Sequence, residues 1–168
     1  GDDRAEEALR QAEAYDGLNL TLRALKYGAT AELYATLECD PCQSALDMAQ
    51  ELSEMGETEL AAAILAGLSA PCAQTEYVRW HLTGDRAALE KAAGLEAGVA
   101  YPLREIEHRA LSEAVKAHPE DANALNLLAC LEYPMENHEK AEELWSRAAK
   151  ADPAAYMPLR NLAVARYS

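Results

Sequence analysis

Residues 117–154, AHPEDANALNLLACLEYPMENHEKAEELWSRAAKADPA, contain a turn sequence that occurs twice. The segment AHPEDA at 117–122 returns as KADPAA at 150–155, so Pro119 and Pro153 lie 34 positions apart. Between the two prolines, apolar residues recur at the three- and four-residue spacing of amphipathic helices. The stretch predicts two helices joined by a short turn, and the helical pattern begins again after the second proline.

The rest of the chain shows the same alternation of short helices and short turns. Ala, Leu and Glu dominate, Phe is absent, and Val and Ile are rare, which favours helices over strands. Asp40 predicts a helix start and Gly56 its end, and a second helix follows to give an antiparallel hairpin over 40–68. A further hairpin over 74–95 turns at Gly84. The sequence predicts an all-α protein of eight to ten helices.

The 34-residue unit resembles the tetratricopeptide repeat (TPR) family. It has apolar and small residues where that family has them, on the first helix Leu125, Leu128 and Ala129, and on the second Ala141, Trp145 and Ala148. It departs from the family at Leu125 in place of tryptophan, at Ala129 in place of glycine, and at Tyr133, one position late. One period later, the matching positions hold Leu159, Leu162 and Ala163. The resemblance implies a TPR-like helical solenoid, a right-handed superhelix of antiparallel helix hairpins.

A closer similarity covers residues 15–168. The segments YPLR, LWSRAAKADP and RNLAVARY resemble the C-terminal TPR region of large bacterial proteins in which a domain of unknown function precedes the repeats. This similarity implies an excised fragment of such a protein and a binding array. We expect N-terminal helices with a degenerate repeat at 1–39 and degenerate TPR-like hairpins at 40–118. A TPR unit with the first helix of a truncated next repeat follows at 119–168.

The formal net charge is −14. Nucleic-acid binders need a basic face and anionic membranes repel acidic proteins, so we expect neither as a partner. The charge either keeps the protein in solution or provides an acidic surface for a basic partner. The four cysteines, at 39, 42, 72 and 130, are typical of reduced thiols in a cytoplasmic protein rather than of a disulfide scaffold.

The motif CDPC at 39–42 is the strongest candidate for chemistry. A Cys-x-x-Cys pair at a helix start can act in thiol exchange, but such motifs follow a strand in an α/β pattern. A zinc site needs two further ligands, which no second Cys-x-x-Cys supplies. The interpretation we favour is helix-start packing, with a redox or zinc module as the alternative. Since no catalytic motif is present either, we expect no enzyme, no cofactor and no metal in this segment.

In TPR arrays the first helix of each hairpin lines a concave groove. The resemblance therefore implies groove-facing residues on these helices, and the candidates are Asn123, Asn126, Tyr133, Arg160, Tyr167, Tyr77 and Trp80. Asparagine offers a donor and an acceptor to an extended peptide backbone, and Arg160 can bind a carboxylate with two hydrogen bonds. Alternatively, these are ordinary solvated or interhelical side chains.

The function expected from the sequence is a non-catalytic protein–protein interaction scaffold that binds a peptide or a neighbouring domain in its groove. The partner is a protein or peptide, and other domains of the same chain are included. The apolar stripe of the last helix has no following helix to pack against, which suggests weak self-association through the C-terminal end. The alternative is a helical accessory part of a larger bacterial enzyme or carbohydrate-related protein whose active site lies outside these residues.

Overall fold

Helices form wherever the sequence places apolar residues at helical spacing. The computed structural model describes residues 2–37, 40–95 and 101–167, and in these ranges every regular element is an α-helix. The prediction of an all-α protein is confirmed. The described chain has eleven helices rather than eight to ten: α1 Asp2–Tyr15, α2 Leu20–Tyr27, α3 Ala31–Ala35, α4 Pro41–Glu54, α5 Thr58–Ala66, α6 Ala73–Thr83, α7 Arg86–Gly94, α8 Glu105–Ala117, α9 Ala122–Glu132, α10 His138–Ala151 and α11 Tyr156–Tyr167.

The chain divides into two compact units, Gly1–Ala70 and Pro71–Ser168. The first holds α1 to α5 and the second α6 to α11. The three segments expected from the sequence have other boundaries and stay predictions. In the described ranges, no helix combines the length and the apolar character that crossing a membrane requires.

The first unit is built around the α4–α5 hairpin. The side chain of Asp40 accepts a hydrogen bond from the backbone N–H of Gln43 at 3.1 Å, and proline occupies the first turn of α4, as the sequence predicts. Gly56 has a φ of 85°, the left-handed conformation that ends the helix and lets the chain reverse. Leu46 and Leu52 on α4 and Ile64 on α5 are fully buried, which makes them the centre of this core.

The short helix α3 is held against α5 by one tyrosine. The hydroxyl of Tyr34 donates to the carbonyls of Ala63 and Ile64, at 3.2 and 3.0 Å. The ring lies against Gly67, where a Cβ would come within 2.1 Å of the tyrosine oxygen. Gly67 therefore makes room for Tyr34. The tyrosine gives the carbonyl of Ile64 a donor at the end of α5 and adds a second donor to the carbonyl of Ala63, which also accepts from the N–H of Gly67 at 3.1 Å.

The second unit begins with the α6–α7 hairpin, which turns at Gly84 with a φ of 71° as the sequence predicts. Helix α8 packs against both α6 and α9, and α7 packs against α9. The face that α8 turns inward is mainly apolar, and its buried apolar residues are Ile106, Ala110, Leu111 and Ala114. The hairpin and α8 thus form the layer on which α9 lies.

Helices α9 and α10 form the hairpin predicted from the 34-residue unit. All six residues assigned to its interior are buried: Leu125, Leu128, Ala129, Ala141, Trp145 and Ala148. Alanines at the crossing let the two helices approach closely, and the indole of Trp145 fills the space beside them. The predicted inward faces of both helices are confirmed.

The face that α11 buries differs from the predicted one. The buried residues are Pro158, Asn161 and Leu162, whereas Leu159 is 50% exposed and Ala163 is exposed as well. Helix α11 packs against α10 and leaves Leu159, Ala163 and Val164 exposed. Only Leu162 of the predicted stripe therefore lies in the interior.

Candidate functional site

Helices α9 and α11 present a common face with two concavities. On α9 the residues of this face recur every three or four positions, at Asn123, Asn126, Cys130 and Tyr133, so they lie in one row along the helix. The side chain of Asn161 on α11 reaches across and donates to the sulfur of Cys130 at 3.6 Å. This contact divides the face into a cleft at the start of the two helices and a smaller pocket beyond it.

The first concavity, here called the asparagine cleft, has a volume of about 1000 Å³. The end of α7, the start of α9, the start of α11 and the turn before α11 line it. Its polar lining residues are Glu120, Asp121, Asn123, Asn126, Asp152 and Tyr156. Among the described residues that line this cleft, the side chains that can form hydrogen bonds are carboxylates, amides and one tyrosine hydroxyl.

Asn126 is the unusual residue of the cleft. It is only 5% exposed, and its carbonyl oxygen is closed off from solvent without a hydrogen-bond donor in the described chain. The amide nitrogen makes no hydrogen bond to described residues either. Leaving a buried carbonyl oxygen without a donor costs about 1–3 kcal/mol, which makes Asn126 a candidate contact for a ligand in the cleft.

Asn123 lies one helical turn before Asn126 and has a different role. Its amide nitrogen donates to the carbonyl of Ala92 at 3.2 Å and to the carbonyl of Leu95. Both carbonyls lie at the end of α7, where that of Ala92 also accepts from the backbone N–H of Leu95 at 3.3 Å. Asn123 therefore caps α7 from α9 and holds one wall of the cleft in position.

The second concavity, here called the aromatic pocket, has a volume of about 220 Å³ and is lined by Tyr101, Cys130, Tyr133, Pro134, Trp145, Arg160, Asn161, Val164 and Ala165. The ring of Tyr133 meets the ring of His138 edge-on at 4.6 Å and lies 5.5 Å from the indole of Trp145. These contacts fix the aromatic wall.

Arg160 stands at the rim of the aromatic pocket. Its guanidinium lies 3.4 Å from the hydroxyl of Tyr101 and 3.3 Å from the side-chain oxygen of Asn161. In the described chain no carboxylate lies within ion-pair distance of it. The guanidinium is thus oriented by neutral partners and keeps donors for an acceptor outside the chain.

Cys130 forms the floor of the aromatic pocket. Burial raises the pKa of its thiol to about 11, and the neighbouring indole of Trp145 acts in the opposite direction with a smaller effect. The thiol is therefore protonated at neutral pH and is a poor nucleophile.

The structure brings together four of the seven predicted groove residues. Asn123 and Asn126 line the cleft, and Tyr133 and Arg160 line the pocket. The side chain of Tyr77 instead lies in the interior, fully buried, with its hydroxyl 2.7 Å from a carboxylate oxygen of Asp121. The other two lie apart from this face: Tyr167 is 94% exposed at the end of α11, and Trp80 is half-buried on α6.

Sequence reasoning missed Tyr101 and the three acidic residues of the cleft, among them the pair Glu120 and Asp152. A signal for the acidic pair was present, because each lies beside one of the two prolines that define the 34-residue period. Tyr101 had no such signal, since it lies outside the repeat and reaches the pocket only through the fold.

The other candidates for chemistry are separate from this face. Cys42 lies in the first turn of α4, with its sulfur 3.6 Å from the carbonyl oxygen of Ala70, and Cys39 lies outside the described residues. His81 pairs with Glu113 and His108 with Glu132, each at 2.8 Å. In the described part of the chain, no three His, Cys, Asp or Glu side chains are grouped so that they could hold a metal ion.

Comparison with known proteins adds no family. No protein-family model matches the chain, and a search of curated proteins finds no match.

Proposed function

We propose that this protein is a peptide-binding interaction module of the TPR-like helical solenoid type, and that it binds its partner along the α9–α11 face. The partner is a segment of another protein or of another domain of the same chain. The module is a scaffold without catalytic activity or cofactor, and it works in the cytoplasm. The bound segment lies in an extended conformation across the asparagine cleft and the aromatic pocket.

The packing of the second unit supports the solenoid part of the proposal. The 34-residue period coincides with the α9–α10 hairpin, and α11 repeats the position of α9 against α10. Small residues stand at the crossing, where Ala129, Ala141 and Ala148 are fully buried. Such arrays bind ligands on the surface that successive first helices share, which here is the α9–α11 face.

The observation that carries the proposal is the buried amide of Asn126. An asparagine side chain has the same donor and acceptor pair as a peptide bond and can pair with a backbone carbonyl and N–H together. Because the side-chain oxygen of Asn126 has no donor among the described residues, a peptide N–H that bonds to it in the cleft removes the cost of its burial.

The distance between the two concavities fits a peptide. Seven helical positions separate Asn126 from Tyr133, which corresponds to about 10 Å along α9. An extended chain advances about 3.3 Å per residue, so about three residues of a bound segment span this distance. Its backbone lies on Asn126, and a side chain enters the aromatic pocket beside Arg160.

Selection from a library of random unstructured peptides displayed on phage, with the whole chain as bait, tests this proposal. Enriched peptides are then titrated calorimetrically into the wild type, into Asn126→Ala and into Glu143→Ala, an exposed position on α10 outside both concavities. We expect equal affinity for the wild type and Glu143→Ala and a loss of about tenfold for Asn126→Ala. Failure to enrich any peptide above bare beads, or equal affinity for all three proteins, contradicts the proposal.

A further inference from the structure

The charges around the asparagine cleft are of one sign. Three carboxylates line it, from Glu120, Asp121 and Asp152, and none of the described lining residues is basic. The chain as a whole has a net charge of −14, which adds to the negative potential of the cleft. A ligand group that is complementary to this lining is therefore a cation.

Two of the three carboxylates can still accept hydrogen bonds from a ligand. Both carboxylate oxygens of Asp121 already accept a hydrogen bond. One accepts from the N–H of Ala124 at 3.1 Å, and the other accepts from the hydroxyl of Tyr77 at 2.7 Å. Asp152 uses one oxygen, which accepts from the N–H of Ala154 at 3.0 Å. The second oxygen of Asp152 and both oxygens of Glu120 have no partner in the described chain.

The N-termini of α9 and α11, which lie at the cleft, do not make it a site for anions. Helix N-termini attract anions, but the side chain of Asp121 already caps α9. Pro158, in the first turn of α11, has no N–H to offer. An anionic ligand would therefore meet free carboxylate oxygens and few free donors.

We propose that the asparagine cleft selects a lysine or arginine side chain of the bound peptide. This inference rests on the proposed function, because it assigns chemistry to the segment whose backbone lies on Asn126. The cation enters between Glu120 and Asp152, while the adjoining backbone pairs with the amide. About three residues away, the segment places an apolar or acidic residue in the aromatic pocket, where the described residues near Arg160 are the neutral partners Tyr101 and Asn161.

The test compares peptide preference in two protein variants of equal charge. Glu120→Gln/Asp152→Asn removes both free carboxylates but keeps the side-chain acceptor that Ala154 needs. Glu139→Gln/Glu143→Gln makes the same change in charge at exposed sites on α10, away from the cleft. Library peptides enriched on the wild type are synthesised with lysine, and with glutamine in its place, and their affinities are measured by fluorescence anisotropy.

We expect the wild type and the α10 variant to prefer lysine over glutamine by about three- to tenfold, the effect of two partly exposed ion pairs. The cleft variant loses this preference but still binds the glutamine peptide. The lysine preference also falls as salt is raised from 20 to 500 mM, because exposed ion pairs are screened. Peptides that bind through Asn126 without a basic preference, or a preference that survives in the cleft variant, overturn this inference and leave the proposed function standing. If no peptide binds, both fail.

Discussion

The hydroxyl of Tyr77 on α6 donates a hydrogen bond to a carboxylate oxygen of Asp121, 2.7 Å away, at the residue that caps α9. The other oxygen of Asp121 accepts from the N–H of Ala124. One carboxylate therefore caps α9 and also binds a residue of α6 that lies 44 positions earlier in the chain. Burial and the nearby carboxylate raise the pKa of Tyr77 far above its ordinary value, which keeps the hydroxyl protonated as a donor. This bond fixes the position of α9, and with it the wall of the asparagine cleft.

Substitution Tyr77→Phe removes this donor and leaves a buried carboxylate oxygen without a partner. We expect the free energy of unfolding to fall by about 1–3 kcal/mol, measured by urea denaturation followed by circular dichroism. Tyr167→Phe is the control, because that ring is 94% exposed and its loss of a hydroxyl is expected to cost less than about 0.5 kcal/mol. Equal stabilities of the two variants would contradict the role assigned to Tyr77.

Glu132 makes the stability of the fold depend on pH in the acidic range. Burial on its own raises the pKa of this carboxyl, but hydrogen bonds from Lys140, His108 and Asn137 outweigh it and hold the pKa below the ordinary value of 4.5. A lowered pKa in the folded state means that the ionised carboxylate stabilises the fold above about pH 4.5. This contribution is lost as the pH falls through the folded-state pKa.

The variant Glu132→Gln isolates this contribution. We expect the wild type to be more stable than Glu132→Gln at pH 7 by about 1–3 kcal/mol, the scale of hydrogen bonds to a charged group whose partners are partly exposed. The difference should shrink steadily below pH 4.5, because protonation then removes the same charge from the wild type. Urea titrations from pH 3 to 7 measure it, and a difference that stays constant over this range would show that the carboxylate is not coupled to folding.

Gly67 and Tyr34 form a second pair whose coupling can be measured. A Cβ at Gly67 would come within 2.1 Å of the tyrosine oxygen, so Gly67→Ala displaces the ring and breaks its bonds to the α5 carbonyls. We expect a loss of about 1–3 kcal/mol in the wild-type background. In a Tyr34→Ala background the clash is absent, so the same substitution should cost less than about 0.5 kcal/mol. A double-mutant cycle measures this difference, and an equal loss of stability in the two backgrounds would contradict the clash between Gly67→Ala and Tyr34.

Local sequence signals predict much of the fold. Asp40 and Gly56 mark the two ends of α4, because capping and left-handed helix ends depend on a few neighbouring residues. The 34-residue period predicts the α9–α10 hairpin, and the single apolar stripe of α10 predicts the burial of Trp145. These features need no information from distant parts of the chain.

Features that depend on distant contacts were not predictable in the same way. Helix α6 is buried along Ala73–Val78 with no polar stripe, so its sequence does not show which side faces solvent, and the position of Tyr77 could not be inferred. In α11, Asn161 is buried because it binds Cys130, while the more apolar Leu159 stays exposed. The pairing of α9 with α11, and not the composition of either helix, places Asn126 in a cleft.

The two asparagines of the cleft should respond to substitution in opposite ways. Asn123→Ala removes two hydrogen bonds to the end of α7, so we expect a loss of about 1–2 kcal/mol in the free energy of unfolding. Its effect on peptide affinity should be smaller than that of Asn126→Ala. Asn126→Ala removes an amide that has no partner in the described chain, so stability should change by less than about 0.5 kcal/mol or even rise, while peptide affinity falls about tenfold. Urea denaturation measures the stability of each variant, and calorimetric titration measures its affinity for the peptide. A large loss of stability in Asn126→Ala would mean that its amide supports the fold, and the argument for a ligand at this position would be lost.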